Sequence, residues 1–140
     1  MVGLTLDTGA LIALEAVERG KTGNQTAVRL AKMLATRDDV RAHTPSVVVG
    51  EWWRGQRGKV AQLLTRFRIQ IQSIELEDAQ SAGLILASVD GSDERRRGML
   101  VDALVLVTAV TRGDVIYTSD IDDLSALRDA AGLHVKLFRV

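Results

Sequence analysis

The stretch "VGLTLDTGALIAL", residues 2–14, changes from one hydrophobic pattern to another. Its first part, "VGLTL" (2–6), is short, apolar and partly β-branched, which predicts a buried strand. "GALIALEAVERG" follows with apolar residues at helical spacing, and it predicts a helix that ends near Gly20. Asp7 stands between the two. The stretch therefore predicts a strand and a helix joined at a carboxylate.

The same alternation continues along the rest of the chain. Further strands are predicted at "VRAHT" (40–44), "IQIQSIEL" (69–76), "DVIYTS" (114–119) and "HVKLFRV" (134–140). Helices are predicted at 25–39, 46–56, 60–67, 77–89, 99–112 and 123–132, and a polar loop at "DGSDERRRG" (90–98). Strands separated by helices indicate an α/β fold, with a parallel sheet covered on both faces.

Length and composition limit the classes of protein that are possible. The 140 residues predict one domain, 1–140, and 46% hydrophobic with 26% charged residues is typical of a globular chain. Eighteen basic and eighteen acidic residues cancel, so a nucleic-acid site must come from local clusters of charge. The absence of cysteine excludes disulfides and thiolate metal sites. No apolar stretch reaches membrane-spanning length and Asp7 interrupts any secretory core, so we expect a cytoplasmic protein without a membrane partner.

Four carboxylates abut or interrupt apolar runs: Asp7, Glu51, Asp102 and Asp120. Asp102 lies inside "MLVDALVLVTAV" (99–110), and burying an unpaired carboxylate is very costly. Asp7 and Asp120 follow predicted strands, at the edge where open parallel sheets bind ligands. Carboxylates that converge there need a cation to stay ionised together. Because every donor is oxygen, the expected ion is Mg²⁺ or Mn²⁺.

Each acid also has a simpler explanation when it is taken alone. Asp7, and Asp120 or Asp122, could cap the helices that follow them, because Asp is a preferred N-cap residue. Glu51 could be an exposed helix residue. Capping leaves Glu51 and Asp102 unexplained, whereas a shared metal explains all four acids, so we favour the metal.

The motifs around these acids form an ordered set. "LTLDTGALIAL", "VVVGEWWRG", "VDALVLVTAV" and "VIYTSDIDDL" together resemble the PIN-domain ribonucleases, and more narrowly the VapC toxins of bacterial toxin–antitoxin pairs. The resemblance covers nearly the whole chain. It implies a three-layer α/β sandwich with a five-stranded parallel sheet in the order 3-2-1-4-5. It also implies an acidic site that binds Mg²⁺ or Mn²⁺ and cleaves RNA.

The resemblance also assigns roles to residues. The catalytic and metal-binding acids would be Asp7, Glu51, Asp102 and Asp120, with Asp7, Asp102 and Asp120 mainly metal ligands and Glu51 either a ligand or the group that orients the attacking water. Asp123 matches a further acid seen in some members, with Asp122 as its substitute, and Thr118 matches a hydroxyl residue two before the fourth acid. Gly9 departs from the family, where Ser or Thr is common, so no hydroxyl contact is expected there.

Positive charge and partners complete these expectations. Arg54, Arg57 and Lys59 follow Glu51, and Arg95–Arg97 precede Asp102, so both groups could contact RNA phosphates. The alternative is that the arginine run is a solvated loop or an anchor for an acidic partner segment, and we favour the RNA contact. The resemblance implies an RNA substrate, a VapB-type antitoxin and a homodimer. His43 and His134 lie on or beside predicted strands and are interpreted as structural.

Three other functions remain open. A haloacid-dehalogenase-like phosphatase would need an acid where Gly9 stands and a catalytic lysine late in the chain, where Lys136 lies in a predicted strand. A PIN nuclease that is not a toxin would keep the same acids. A module that only binds RNA or protein would not explain why four acids lie beside or within apolar segments.

Overall fold

The structure is a computed structural model that describes residues 1–53 and 57–140, with side chains described outside 54–60. Its strands are β1 (Val2–Leu6), β2 (Val40–Pro45), β3 (Ile69–Gln72), β4 (Val115–Thr118) and β5 (Leu137–Arg139). Its helices are α1 (Thr8–Glu18), α2 (Gln25–Thr36), α3 (Ser46–Trp53), α4 (Arg57–Arg66), α5 (Leu76–Ala87), α6 (Asp93–Gly98), α7 (Leu100–Arg112) and α8 (Ile121–Ala130).

The five strands form one parallel sheet in the order β3-β2-β1-β4-β5. This confirms the predicted fold class and strand order. Leu6 of β1 pairs with Tyr117 of β4, so the two strands end side by side. Asp7 and the segment that leads to Asp120 therefore leave the sheet at the same edge, which is the condition for their side chains to share a site.

The core lies on both faces of the sheet because side chains alternate along each strand. Leu4 and Leu6 of β1 are almost completely buried, and Thr5 between them is buried as well. Helix α7 is buried along its whole middle, Ala103–Ala109, and packs on α5, α8 and the central strands. This confirms the helix predicted at 99–112. In the described part of the chain, no helix combines the length and apolarity needed to cross a membrane.

The segment 90–98 is not the predicted loop, because residues 93–98 form the short helix α6. The Ser92 hydroxyl accepts a hydrogen bond of 3.1 Å from the Arg95 backbone N–H, which caps the helix. Acids fill its first turn and arginines its last, an arrangement that the helix dipole favours. The polar sequence therefore predicted a loop. The helix forms nonetheless, because its cap and its charges stabilise it without a buried apolar face.

Several boundaries also differ from the prediction. Strand β3 ends at Gln72 instead of continuing to residue 76, and α2 ends at Thr36 instead of residue 39. Pro45 is the last residue of β2, and α3 begins after it. Asp114 precedes β4 rather than belonging to it, and its side chain is buried.

Candidate metal centre

Three acids approach one another at the edge where β1 and β4 end. Asp102, Asp120 and Asp123 each offer a carboxylate oxygen, and these oxygens lie within 4.8 Å of one another. Asp102 stands in the first turn of α7, whereas Asp120 and Asp123 stand at the start of α8. Two helices thus bring like charges together at one site.

Asp7 lies on the same edge and has a second role. Its Oδ1 accepts a hydrogen bond of 2.8 Å from the Ala10 backbone N–H, so it caps α1. The hydroxyl of Thr118 also interacts with the carboxylate, which is 6% exposed. The capping explanation is thus correct for Asp7, but it is incomplete, because the same carboxylate interacts electrostatically with Asp120 and Glu51.

Asp120 behaves differently from Asp7. It occupies the N-cap position of α8, yet its side chain makes no capping hydrogen bond within the residues described. The capping explanation therefore fails for Asp120. Its carboxylate is left exposed, with an oxygen within 4.8 Å of carboxylate oxygens of Asp102 and Asp123.

Glu51 reaches the site from α3. It is exposed, and the hydroxyl of Thr8 donates a hydrogen bond to its Oε1. It lies outside the trio of oxygens within 4.8 Å, but its charge raises the pKa of both Asp7 and Asp102. The structure therefore places all four predicted acids in one electrostatic field.

Burial and mutual repulsion both act on this field. Burial is the largest cause that raises the pKa of Asp102 to about 7, followed by the charges of Asp120 and Asp7 and then those of Asp123 and Glu51. Burial also raises the pKa of Asp7, against the opposite effects of the Thr118 hydroxyl and of the hydrogen bond from Ala10. For Asp120, partial desolvation raises the pKa first, followed by the hydrogen bond and charge of Asp123.

This donor set fits a hard divalent cation. Mg²⁺ and Mn²⁺ prefer carboxylate oxygens, and three such oxygens already lie close enough to share one ion. A cation would stabilise the ionised form of Asp102, which burial and its neighbours now disfavour. Asp122 lies outside the trio, so Asp123 is the additional acid that the structure brings to the site.

The three arginines at 95–97, which were predicted to contact RNA, differ in their partners within the protein. The Arg95 guanidinium donates to the Asp90 carbonyl at 2.7 Å, and that of Arg96 donates to the Val89 carbonyl at 3.1 Å. Among the described residues, Arg97 has no carboxylate within ion-pair distance. The predicted contacts Arg54, Arg57 and Lys59 lie outside the residues whose side chains are described.

Sequence reasoning missed two side chains that shape the site. Thr8 holds Glu51, and its position directly after Asp7 was the available signal. Ser119 lies against Gly9: a Cβ on residue 9 would stand 1.8 Å from the Ser119 hydroxyl oxygen. The Ser119 hydroxyl therefore occupies the space that a side chain at position 9 would need.

The parallel sheet, its order and the acids at its edge define an α/β chain with the PIN-like fold. The structure is similar to the crystal structure of VapBC2 from Rickettsia felis bound to a DNA fragment from their promoter. The TM-score is 0.59 with 14% sequence identity, over 99% of this chain and 98% of that chain. The similarity confirms the fold that the resemblance implied. No family model and no curated protein sequence matches the chain.

Proposed function

We propose that this protein is a Mg²⁺- or Mn²⁺-dependent endoribonuclease that hydrolyses RNA phosphodiester bonds. The observation that carries the proposal is the convergence of Asp102, Asp120 and Asp123 at one edge of the sheet. Burial and neighbouring charges raise the pKa of Asp102 to about 7, and a bound cation would favour its ionised form instead. A pocket of bare carboxylates would repel RNA phosphates, so both binding and cleavage require the cation.

Each acid is assigned a role that follows from its position in the site. Asp102, Asp120 and Asp7 hold the ion, and Asp123 completes their set from the first turn of α8. When bound, Mg²⁺ or Mn²⁺ lowers the pKa of a water ligand and stabilises the charge that develops on the phosphate. Glu51 is a further ligand or orients the attacking water, and the Thr8 hydroxyl fixes its carboxylate for either task.

We also propose that the nuclease is the toxin of a VapBC-type pair. The similarity to VapBC2 over 99% of the chain supports this role. The partner would be a small VapB-type antitoxin, and an antitoxin arginine placed among the acids would block the site. We further propose that the toxin is cytoplasmic and forms a homodimer, as the resemblance implies.

Cleavage of RNA tests the enzymatic part. The wild type should cut RNA with Mg²⁺ or Mn²⁺ and lose this activity in EDTA, and Asp7→Asn and Asp102→Asn should both be inactive with metal present. Asp90→Asn removes an exposed acid in the loop before α6 and should leave activity unchanged, which controls for net charge. Cleavage that persists in EDTA, or full activity in both site variants, would overturn the proposal in favour of another function.

Expression in bacteria tests the toxin part. Induction of the wild type should arrest growth, Asp102→Asn should not, and co-expression of the adjoining antitoxin-like reading frame should restore growth. A nuclease whose expression leaves growth unaffected would instead be a PIN nuclease outside toxin–antitoxin pairs.

A further inference from the structure

A second polar cluster lies inside the fold, away from the acids described above. Asp114, directly before β4, is buried, and its Oδ2 accepts a hydrogen bond of 2.9 Å from the Thr5 hydroxyl. The same oxygen lies 2.9 Å from His43 Nδ1. Residue 3 has to be glycine for this arrangement, because a Cβ there would stand 1.8 Å from Asp114 Oδ1. The sheet thus makes room for a carboxylate that binds a histidine.

The cluster belongs to the opposite end of the sheet from the candidate metal centre. Asp114 precedes β4, whereas Asp120 follows it. A pocket of about 570 Å³ opens beside the cluster and is lined by Arg41, His43, Gln70, Arg112 and Asp114, among others. Because His43 Nδ1 is held by Asp114, Nε2 is the ring nitrogen left for a ligand.

The pocket carries unbalanced positive charge. Among the residues described, neither Arg41 nor Arg112 has a carboxylate within ion-pair distance. Arg112 donates instead to the neutral side chain of Gln72. The one acid in the pocket lining, Asp114, already binds Thr5 and His43. Two guanidiniums thus face one carboxylate that is already engaged.

We propose that this pocket binds the phosphate group of a small phosphorylated molecule. The volume falls within the roughly 300–1,000 Å³ that is usual for small-molecule sites. Arginine presents several N–H donors in a fixed plane, which matches phosphate oxygens, so Arg41 and Arg112 supply charge and donors together. His43 and Gln70 supply further polar groups. The site does not depend on the nuclease proposal, since none of its residues belongs to the metal centre.

Calorimetry on the full chain in EDTA tests this site without any metal at the other one. Inorganic phosphate and adenosine monophosphate serve as the two probes. Each should bind with one-to-one stoichiometry, and Arg112→Gln should weaken binding about tenfold or more, since it removes the charge-assisted hydrogen bonds of one guanidinium. Tighter binding of the nucleotide would assign part of the pocket to the nucleoside, and equal binding would assign the site to the phosphate group alone.

Arg29→Gln is the matched control, because it removes the same charge from an exposed position on α2. It should leave both affinities unchanged. Phosphate addition should also shift the NMR signal of His43 Nε2, and Arg41→Gln provides a second variant should Arg112→Gln unfold. Equal weakening by Arg29→Gln and Arg112→Gln, or no binding and no His43 shift at millimolar phosphate, would overturn the proposal.

Discussion

The backbone N–H of Asp120 donates a hydrogen bond of 2.8 Å to the hydroxyl oxygen of Thr118. Burial raises the pKa of Asp7, and the same Thr118 hydroxyl opposes this effect by interacting with the carboxylate. One hydroxyl thus acts on two acids that leave the sheet on neighbouring strands. Thr118→Val keeps the shape and removes the hydroxyl, so we expect Mn²⁺ affinity to fall about 10- to 100-fold, as for other groups that orient ligands.

Titration of the apoprotein with Mn²⁺ measures this loss. Thr108→Val is the matched control, because Thr108 is also buried and its hydroxyl donates only to the Leu104 carbonyl within α7. Both variants should lose similar stability, about 1 kcal/mol per hydrogen bond. An equal loss of metal affinity in both variants would refute the positioning role of Thr118.

Asp102→Asn should separate activity from stability. It removes a proposed ligand, so cleavage should fall more than about 100-fold, beyond the effect of losing an orienting group. It also removes a charge that burial disfavours, so the apoprotein should gain stability at about pH 8. In the wild type, the shift of the Asp102 pKa from 3.8 to about 7 corresponds to a loss of about 4 kcal/mol in the free energy of unfolding. Because Asp102 is partly exposed, the expected gain in the variant is smaller, about 2 kcal/mol. Urea denaturation in EDTA measures the gain, and a destabilised Asp102→Asn would contradict it.

The metal-free protein should lose stability as pH rises. Between the unfolded pKa of Asp102, 3.8, and its folded pKa of about 7, the folded chain holds a proton that the unfolded chain has released. Stability therefore falls across this window and levels off above about pH 7, and the raised pKa values of Asp7 and Asp120 act in the same direction. Asp102→Asn should flatten the profile. Saturating Mg²⁺ should reverse the trend, since the ion binds the deprotonated acids.

Gly9→Ala should destabilise the fold and disturb the site. The new methyl group would stand 1.8 Å from the Ser119 hydroxyl oxygen and 2.6 Å from its Cβ, so the segment before Asp120 has to move. Overpacking of this kind costs about 1–3 kcal/mol. Gly83→Ala in α5 meets nothing within 4 Å and should instead stabilise the protein by about 0.5–1 kcal/mol. Thermal melts of the two variants should therefore shift in opposite directions.

Arg97 is the arginine of its run that we expect to contact RNA. Arg97→Gln in the Asp102→Asn background, at a Mg²⁺ concentration that saturates the remaining acids, should weaken RNA binding and reduce the slope of log affinity against log salt by about 0.7, the value for one phosphate contact on a single strand. Arg95→Gln should leave the slope unchanged, because the Arg95 guanidinium donates to the Asp90 carbonyl. Its effect should be on stability instead. Equal slopes for the two variants would exclude this assignment.

The sequence allowed the fold to be predicted because its signals are local. Strand and helix patterns alternate, and residues such as Asp7 and Asp120 directly follow apolar strands. Asp102 was conspicuous because its surroundings in α7 are apolar, and the structure places it against Asp120 and Asp123. Helix α6 was not predicted because it buries none of its residues, and a helix without a buried face has no hydrophobic period.

The features of the site that were not predicted from the sequence depend on contacts between distant segments. Ser119 lies against Gly9, Thr8 holds Glu51 on another helix, and each partner is ordinary in its own surroundings. Asp114 escaped for the same reason: it follows a helix-ending glycine, where an exposed acid is the usual expectation. Its partners Thr5 and His43 lie on strands far away in sequence. The spacing of residues along the chain therefore does not predict such pairs.

The hydrogen bond that Asp7 accepts from Ala10 decides which inactive variant of the proposed toxin keeps the native fold. Alanine and asparagine are two replacements that remove the charge of Asp7. Alanine at position 7 would remove the acceptor for the Ala10 N–H and so loosen the start of α1. Asparagine caps helices as well as aspartate does and removes only the charge. A disabled protein meant to retain its native surface for a partner should therefore carry Asp7→Asn rather than Asp7→Ala.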